Sequence, residues 1–459
     1  MKVHFISIGG SVMHQLAIAL HQKGYQVSGT DDEIFEPALS NLKQAGLLPS
    51  EIGWNPSLID ASLDAVILGM HAKADNPELL KAKALGLKIY SFPGYIYQES
   101  LQKQRVVVGG SHGKTTTTSM IMHVLKQQKK AFDYLVGAKL NGFEQSVQIT
   151  DAPIIVCEGD EYPASAIEKQ PKFHFLYPHI AILTGIAWDH INVFPTFDFY
   201  LEQFVIFINR IEKGGMLIYN AADLTLSTLV VQHKRDDIQY QPYDVPKHQI
   251  NHGVTTVELA GAVGALSVFG DHNLMNCQAA YYACAALGIS AEHFLLAMAN
   301  FTGASKRLEL LASNNQMNIY RDFAHAPSKV KATVQAVKQQ FPNRKLYAIL
   351  ELHTYSSLNA NFMQEYKGAL DAVDEAVVFY AKHALALKKL PDLPVNKVVE
   401  GFDKAGLVVI NESADLEKWL LAIPSEAINI LFMSSGNYDG LNINSLAEAI
   451  IENNSEASQ

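Results

Sequence analysis

The chain has 459 residues, of which 48% are hydrophobic and 18% charged, and its formal net charge is −10. This is an ordinary globular composition, and the length is enough for about three domains. The acidic balance argues against a nucleic-acid or acidic membrane surface, and no apolar segment approaches the ~20 residues of a membrane helix. The three cysteines show no CxxC spacing and fit a reducing cytosol. We therefore expect a soluble cytoplasmic protein whose partners are small molecules, neither nucleic acid nor membrane.

The N-terminal stretch has the pattern of a βαβ unit. In chain order the elements are a buried strand (2–8), a tight turn (Gly9, Gly10, Ser11), an amphipathic helix (12–24) and a strand (25–32) that ends in Asp31 and Asp32. In a Rossmann unit, glycines at the helix start approach a nucleotide and an acid after the second strand meets a ribose hydroxyl. The G-x-G-x-x-G fingerprint is incomplete here. The pattern favours a nucleotide-like ligand, with a nicotinamide-dependent oxidoreductase as an alternative.

Further strand and helix patterns complete a first domain. A strand at 64–70 leads into the loop HAKADNPE, and a helix at 79–86 and a strand at 88–92 follow. We predict three domains: a Rossmann-like N-terminal domain, a central P-loop ATPase domain with a mostly parallel sheet, and a C-terminal Rossmann-like α/β domain. The predicted boundaries are 1–102, 103–303 and 304–459. The fold class is therefore α/β.

The central domain opens on a glycine loop between a strand and a helix. Residues 106–118 read VVVGGSHGKTTTT, and the helix-forming stretch SMIMHVLKQQKK follows. Glycine N–H groups and a helix N terminus bind phosphate oxygens, Lys114 reaches the terminal phosphates and Thr115 can hold Mg²⁺. The G-x-x-G-K-T spacing is shorter than the common Walker spacing because position 108 is valine. This predicts a distinct subclass of phosphate loop, and a P-loop NTPase that acts as a switch stays an alternative.

Acidic residues follow the next strand of the central domain. APIIVCEGDEYPAS places Glu158, Asp160 and Glu161 at the carboxyl end of its strand, where they can face the phosphates and hold Mg²⁺. The competing interpretation is a solvated acidic turn. A further strand, HIAILTGIAWDH, ends in Asp189 and His190, and a lone histidine is more often structural than a ligand of Mg²⁺.

An Ala-rich helix begins near GDHNLMNCQ. His272, Asn273 and Asn276 lie at its start, where these residue types either cap the helix or contact a base edge. Beyond FTGASKRLELL the chain again alternates strands and helices, as in MNIYRDFAHAP, KLYAILEL and NILFMSSGNYDG. This alternation predicts the third, compact α/β domain.

Six motifs in this order resemble the Mur ligase family, the ATP-dependent amide-forming enzymes of peptidoglycan precursor synthesis. They are GGSHGKTTTT, EGDE, WDH, GDHNLMN, KRLE and DFAHAP. The resemblance covers nearly the whole chain and implies a UDP-sugar domain, an ATPase domain and a domain that admits the amine. It implies ATP and Mg²⁺ as cofactors and a monomer or weak homodimer in the cytoplasm.

The resemblance also implies roles for individual residues. Catalytic roles fall to Lys114, Glu158 and His190, and metal binding to Thr115, Glu158 and His190. ATP binding falls to Gly110, Ser111, His112, Gly113, Lys114, Thr115, Thr116, His272, Asn273, Asn276, Arg307, Asp322 and His325. UDP-sugar binding falls to Gly9, Gly10, Ser11, Asp31, His71 and Asn76.

Finer features resemble the branch of the family that acts on UDP-N-acetylmuramate. The phenylalanine of DFAHAP, KRLE and FMSSGNYDG favour attachment of an L-Ala-γ-D-Glu-diaminopimelate tripeptide, as in peptidoglycan recycling. LHTYS instead resembles part of the PHxYxR segment of L-alanine-adding ligases, and L-alanine is the alternative amine. We expect the tripeptide.

Several residues depart from the family pattern. Ser7 stands where the family usually has glycine, Gly159 replaces alanine in EGDE, and Arg321 and Ala326 replace the usual Asp and His around DFAH. Many relatives carry a carboxylated lysine between the metals. Here no lysine lies between His190 and Lys213, so a second Mg²⁺ would depend on His190 and other oxygens.

Overall fold

The computed structural model describes residues 1–70, 72–137, 140, 142–165, 167–188, 193–303, 308–424 and 427–456. Its strands are β1 Lys2–Ile6, β2 Gln26–Thr30, β3 Ala65–Leu68, β4 Ile89–Ser91, β5 Gln104–Gly109, β6 Asp133–Leu135, β7 Val147–Gln148, β8 Ile154–Glu158, β9 Ile180–Leu183, β10 Met216–Asn220, β11 Gln239–Tyr243, β12 His248–Asn251, β13 Val254–Leu259, β14 Ala262–Leu266, β15 Glu309–Ser313, β16 Met317–Asp322, β17 Lys345–Glu351, β18 Glu375–Phe379, β19 Val408–Ile410 and β20 Ile428–Met433.

The α-helices are α1 Met13–Gln22, α2 Ala38–Gln44, α3 Pro77–Ala84, α4 Phe92–Glu99, α5 Lys114–Gln127, α6 Phe197–Asn209, α7 Leu224–Gln232, α8 Asp271–Ala286, α9 Ala291–Met298, α10 Pro327–Gln340, α11 Lys382–Leu387, α12 Val395–Phe402, α13 Ser413–Leu421 and α14 Ile443–Glu456. Short 3-10 helices span Pro56–Leu58, Lys172–Phe175, Ala360–Tyr366 and Tyr438–Gly440. The chain divides into two compact units, residues 1–245 with 275–297 and residues 246–274 with 298–459.

The first unit contains two sheets. The N-terminal sheet has the order β2-β1-β3-β4, with parallel pairing throughout. The larger sheet has the order β11-β10-β9-β5-β8-β6-β7, and only the β6–β7 pair is antiparallel. Because β5 lies between β8 and β9, the loops after these three strands emerge side by side at one edge. This edge carries the phosphate loop.

The second unit contains a six-stranded sheet and a small meander. The sheet order is β15-β16-β20-β17-β18-β19, parallel except for the β15–β16 pair. Strands β12, β13 and β14 form a separate antiparallel sheet. The meander packs on α10, since Thr255 Oγ1 donates to Gln340 Oε1 at 2.8 Å and Gln340 Nε2 donates to the carbonyl of Gly253 at 2.6 Å.

Each unit has its own apolar core. In the first unit one cluster joins residues of the N-terminal sheet layer, such as Phe5 and Leu16, to Val107 and Phe204 of the larger sheet layer. The second unit has a core around the six-stranded sheet. Among the described helices, none is both long and apolar enough to span a membrane. Mostly parallel sheets covered by helices confirm the predicted α/β class.

Candidate active site

The phosphate loop leaves β5 and enters α5 at Lys114. Gly110 has φ +117°, and a Cβ there would lie 2.8 Å from the backbone nitrogen of Thr184. Gly113 has φ +85°, and a Cβ there would lie 2.5 Å from Oδ1 of Asn276. Both positions need glycine, because side chains are strained at positive φ and have no room here. The glycine loop predicted between a strand and a helix is therefore present, with the N terminus of α5 at its end.

The loop after β9 packs against this glycine loop. Thr184 Oγ1 donates to the carbonyl oxygens of Gly109, at 3.1 Å, and of His112. The Ser111 N–H donates to the carbonyl of Gly185 at 3.0 Å. Thr184 and Gly185 were not among the site residues predicted from the sequence. Both residues follow a buried strand of the central domain that pairs with β5, and α/β sheets bind ligands at the carboxyl ends of such strands. This position is the sequence feature that could have identified them.

Lys114 follows the glycine loop and has an acidic partner. Its Nζ donates to the carbonyl of Gly110 at 2.6 Å and to Oε2 of Glu161 at 2.8 Å. The Glu161 side chain is 2% exposed. Glu161 was one of the acids predicted to face the phosphates, and its carboxylate meets the loop lysine.

Thr115 and Glu158 bring oxygen ligands together. Thr115 Oγ1 donates to Oε1 of Glu158 at 2.7 Å, and Oε2 of Glu158 accepts the Gly137 N–H at 3.1 Å. Hydroxyl and carboxylate oxygens suit Mg²⁺. Within the described ranges no group of three or more His, Cys, Asp or Glu residues is arranged to hold a metal. His190, the third predicted metal ligand, lies outside those ranges.

Asp160 of the same acidic motif has a different role. It pairs with Lys172 at 2.6 Å. Burial raises the pKa of Asp160, but the Lys172 ammonium, the Tyr162 N–H and the more distant Lys114 ammonium together outweigh this effect, and the net pKa lies below its ordinary value. Asp160 is therefore a charged partner of Lys172.

Gly159 departs from the alanine that the family usually has, and the packing explains why. A Cβ at Gly159 would lie 2.9 Å from Cγ1 of Val107 and 3.1 Å from Cβ of Phe173. The strand beneath the phosphate loop thus comes too close for an added methyl group. In this chain the acidic motif needs glycine at its second position.

The start of α8 contains three predicted nucleotide contacts. Asn276 accepts a hydrogen bond from Thr117 Oγ1 at 3.2 Å and lies against Gly113, so it belongs beside the phosphate loop. Asn273 donates from Nδ2 to the carbonyl of Phe269 at 3.0 Å within the second unit. This contact is not a helix cap, in which the side-chain oxygen would accept an N–H; it ties the first turn of α8 to the carbonyl of Phe269, four residues earlier.

His272 and Asp322 lie close together in the second unit. Burial lowers the pKa of His272, while the carboxylates of Asp322 and Asp271 act to raise it. Asp322 accepts the N–H groups of Leu308 at 2.6 Å and Ala324 at 2.7 Å, so its carboxylate is fixed in place. These two predicted nucleotide residues are therefore neighbours.

The other residues around DFAHAP have local roles. Arg321 donates to Glu309 at 2.8 Å across the β15–β16 pair and to Asn444 at 3.3 Å, which explains a basic residue here. His325 Nδ1 contacts the carbonyl of Phe323 at 2.9 Å. Ala326 precedes Pro327, the first residue of α10, and makes no side-chain cap. Arg307 lies outside the described residues.

The N-terminal glycine loop is closed by an internal carboxylate. The Gly9 N–H donates to Oδ2 of Asp31 at 2.7 Å, and Asp31 is fully buried. Asp31 Oδ1 also accepts the Asp32 N–H at 3.0 Å. Gly10 and Ser11 follow in the turn before α1. The carboxylate predicted to meet a ribose is thus bound to the glycine loop.

Ser7 takes the left-handed backbone that the family's usual glycine would supply. Its φ is +71°, and its buried Oγ makes no hydrogen bond within the described part of the chain. Gly69 makes room for it, because a Cβ at Gly69 would lie 2.8 Å from Cβ of Ser7. The departure is accommodated by a neighbouring glycine.

Asn76 caps a helix. Its Oδ1 accepts the N–H groups of Glu78 at 3.0 Å and Leu79 at 3.1 Å at the start of α3. Glu78 in turn accepts from Thr30 Oγ1 at 2.6 Å and contacts His4 Nε2 at 3.3 Å. Asn76 therefore shapes the loop before α3. His71, the other predicted residue of this loop, lies outside the described residues.

Family models match three successive stretches of the chain. The description "Mur ligase family, catalytic domain" matches residues 2–101, "Mur ligase middle domain" matches 108–284, and "Mur ligase, glutamate ligase domain" matches 306–435. Together with the phosphate loop, these matches define the class of the protein, an ATP-dependent ligase that joins an acid to an amine.

Individual proteins point the same way. A UDP-N-acetylmuramate–L-alanine ligase of Clostridium acetobutylicum is 30% identical over 391 residues, 82% of each chain. The crystal structure of a UDP-N-acetylmuramate–alanine ligase from Thermotoga maritima covers 100% of both chains with TM-score 0.66 and 22% identity. A murein tripeptide ligase structure from Neisseria meningitides covers 65% of this chain and 98% of its own, with TM-score 0.59 and 25% identity. The chain belongs to the Mur ligase family, which confirms the resemblance.

Proposed function

We propose that this protein joins L-alanine to the carboxylate of UDP-N-acetylmuramate, with ATP as the phosphoryl donor. The observation that carries the proposal is the set of curated relatives named UDP-N-acetylmuramate–L-alanine ligase, two of which align with 98% and 82% of the chain. The sequence pattern alone favoured the tripeptide as the amine. The relatives favour L-alanine instead, and the proposal follows them.

The chemistry follows from the weakness of a carboxylate as an electrophile, since its leaving group would be oxide. A carboxylate oxygen attacks the γ-phosphorus of ATP, which gives an acyl phosphate and ADP. The amine then attacks the acyl carbon and displaces phosphate. Phosphoryl transfer needs positioning and charge neutralisation, which Lys114 and the backbone N–H groups of its loop supply. No serine or cysteine nucleophile is required.

Thr115 and Glu158 are the proposed ligands of Mg²⁺, with His190 completing the set. The fit rests on two oxygen atoms 2.7 Å apart beside the phosphate loop. When bound there, Mg²⁺ would neutralise phosphate charge. Asn276 beside Gly113, and His272 near Asp322, are proposed contacts of the rest of the nucleotide. Asn273, Arg307 and His325 keep the roles that the resemblance implies.

The amine is proposed to bind at the carboxyl ends of β17 and β20. Glu351 ends β17 with a side chain only 3% exposed, and its Oε2 accepts the Tyr438 N–H at 2.9 Å and the hydroxyl of Ser434. Its Oε1 lies 3.7 Å from Nδ1 of His353, the histidine of LHTYS. A carboxylate beside an imidazole can hold an ammonium group and accept the proton that the amine loses before it attacks.

The segments 1–102, 103–303 and 304–459 are the proposed UDP-sugar, ATP and amine domains. Gly9, Gly10 and Ser11 are proposed to meet the diphosphate of the UDP-sugar, with Asp31 holding the shape of their loop and His71 and Asn76 in the adjoining loop. Because the chain belongs to a ligase family, we do not propose the two more distant alternatives, a nicotinamide-dependent oxidoreductase and an NTPase switch.

The tripeptide is the second candidate amine. It is favoured by the similarity to the Neisseria murein tripeptide ligase and by FMSSGNYDG, whose Ser434 and Tyr438 bind Glu351. Both candidates share UDP-N-acetylmuramate, ATP and the acyl phosphate. They differ only in the size of the amine that the C-terminal region admits.

The test is ADP release with Mg²⁺-ATP and UDP-N-acetylmuramate, with L-alanine or L-Ala-γ-D-Glu-diaminopimelate added and the product identified by mass. We expect turnover with L-alanine. Turnover with the tripeptide alone would support the second candidate and contradict the first. Equal ADP release without UDP-sugar or amine would contradict both. As a check on the amine site, His353→Ala should raise KM for the amine while KM for ATP stays unchanged.

A further inference from the structure

We infer that Glu161 is a positioning residue that holds Lys114 in the nucleotide-free protein and gives it up when phosphate binds. The inference rests on the proposed role of Lys114 in binding the phosphates of ATP. The sequence grouped Glu161 with two other acids that can face the phosphates and hold Mg²⁺, and the inference gives it a separate role as the partner of Lys114.

The first support is the contact itself. Lys114 Nζ lies 2.8 Å from Oε2 of Glu161, and the two side chains are 16% and 2% exposed. A charged pair so shielded from water is held more firmly than one on the surface. The second bond of Nζ, to the carbonyl of Gly110, turns the ammonium back onto the loop. Both partners of the lysine thus lie where the loop surrounds its ligand.

The second support is the way Glu161 is anchored. Its Oε1 lies 3.4 Å from the hydroxyl of Tyr200, a buried residue of α6. The same hydroxyl lies 2.9 Å from Oγ of Ser111, which accepts the Ala187 N–H at 2.8 Å. The carboxylate is therefore tied through Tyr200 to Ser111, which precedes the lysine in the phosphate loop, and through Ser111 to Ala187 in the segment after β9. It stays in place when the lysine moves.

The consequence is a competition for one ammonium group. A phosphate oxygen that binds Nζ must displace the Glu161 carboxylate. The apparent affinity for nucleotide is therefore the intrinsic affinity multiplied by the fraction of molecules in which Lys114 is not held by Glu161. An amide in place of the carboxylate keeps the size and the contact with Tyr200, but it removes the negative charge that competes with phosphate. Nucleotide should then bind more tightly.

The chain supplies a matched control. Glu99 has the same kinds of partner as Glu161, since it is 7% exposed, pairs with Lys23 at 3.0 Å and accepts the Tyr25 hydroxyl at 3.1 Å. It belongs to the same unit but lies outside the phosphate loop. Glu99→Gln therefore removes a buried lysine–glutamate–tyrosine arrangement without touching the proposed nucleotide site.

The experiment is calorimetric titration of ADP into the full chain without Mg²⁺. Glu161→Gln should tighten binding about ten-fold, the factor expected if Lys114 is held by Glu161 in about nine molecules of ten, and Glu99→Gln should leave it unchanged. Unchanged or weaker binding in Glu161→Gln would overturn the inference. Lys114→Ala should weaken binding strongly. If Lys114→Ala binds ADP like the parent, the proposed nucleotide site fails, which is a separate result.

A structure of the unaltered protein gives a test that needs no variant. In a crystal structure with a non-hydrolysable ATP analogue, we expect Nζ of Lys114 on a phosphate oxygen and beyond about 4 Å, the limit of an ion pair, from Glu161. Retention of the contact of about 2.8 Å with phosphate bound would refute the displacement. This test remains decisive if Glu161→Gln fails to fold.

Discussion

The two glycine loops of the first unit are built alike and held differently. Each follows a strand of a parallel sheet and precedes a helix, and the first residue after each strand has positive φ, +71° at Ser7 and +117° at Gly110. In both loops an internal carboxylate accepts a hydrogen bond from a group that we propose binds a ligand. Asp31 takes a backbone N–H, that of Gly9, whereas Glu161 takes a side-chain ammonium, that of Lys114.

This difference separates a fixed site from an adjustable one. A backbone N–H bound to a buried carboxylate cannot move without moving the loop, so Asp31 sets the loop's shape. A lysine has several rotatable bonds and can exchange a carboxylate for a phosphate. We therefore expect the N-terminal loop to suit a ligand that is not changed at that loop. We expect the phosphate loop to suit a ligand whose terminal phosphate is transferred.

The largest expected effect comes from removing the cation that only the phosphate loop has. Lys114→Ala should lower kcat/KM for ATP by about 10³-fold, because a positioned positive charge that neutralises the transferring phosphoryl group is lost. Steady-state ADP release measures it, with an unchanged melting temperature as the control for folding. A fall of less than ten-fold would contradict the role of Lys114.

A serine at position 110, the first residue after β5, should destabilise the protein much more than Ser7 does at the equivalent position after β1. Gly110→Ser should cost about 3 kcal/mol of unfolding free energy, because left-handed strain is joined by contact with the backbone of Thr184. Urea unfolding of the full chain measures the loss. Unchanged stability would mean that the loop has room for a side chain.

Removal of the Asp31 carboxylate should weaken the binding of the UDP-sugar and leave the binding of ATP unchanged. Asp31→Ala removes the acceptor of the Gly9 N–H, so the loop loses the internal bond that fixes its shape; a hydrogen bond to a charged group is worth about 2 kcal/mol, which corresponds to a factor of ten or more. We expect KM for UDP-N-acetylmuramate to rise about ten-fold with KM for ATP unchanged. Equal changes in both constants would show that the two loops do not act separately.

The smallest effect should be a gain. Ser7→Gly relieves the positive φ and removes a buried hydroxyl, and it should raise stability by about 1 kcal/mol after the backbone entropy of glycine is counted. Urea unfolding measures the change and is run beside Gly110→Ser. The two variants together test glycine against serine at the first position of each loop. A loss of stability would show that Ser7 has a partner that compensates its strain.

Much of the phosphate loop could be predicted, because its glycines, Lys114 and Thr115 are each fixed by local chemistry. The contact between Lys114 and Glu161 could not, since the acid's direction depends on packing against Tyr200. The meander β12–β14 was not predicted. In the structure Ala260 and Gly261 have positive φ in the turn between β13 and β14, as is typical of a two-residue hairpin, but only Gly261 is a residue type that signals such a turn in the sequence. The predicted roles of His71, His190 and Arg307 stay predictions.

The central claim is that the phosphate loop activates the carboxylate of the UDP-sugar. The most direct test uses UDP-N-acetylmuramate labelled with ¹⁸O in both carboxylate oxygens, with ATP, Mg²⁺ and L-alanine. An acyl phosphate passes its bridging oxygen to phosphate, so mass spectrometry should find one ¹⁸O in each phosphate released. Phosphate without ¹⁸O would mean that water attacks ATP directly and would contradict the account.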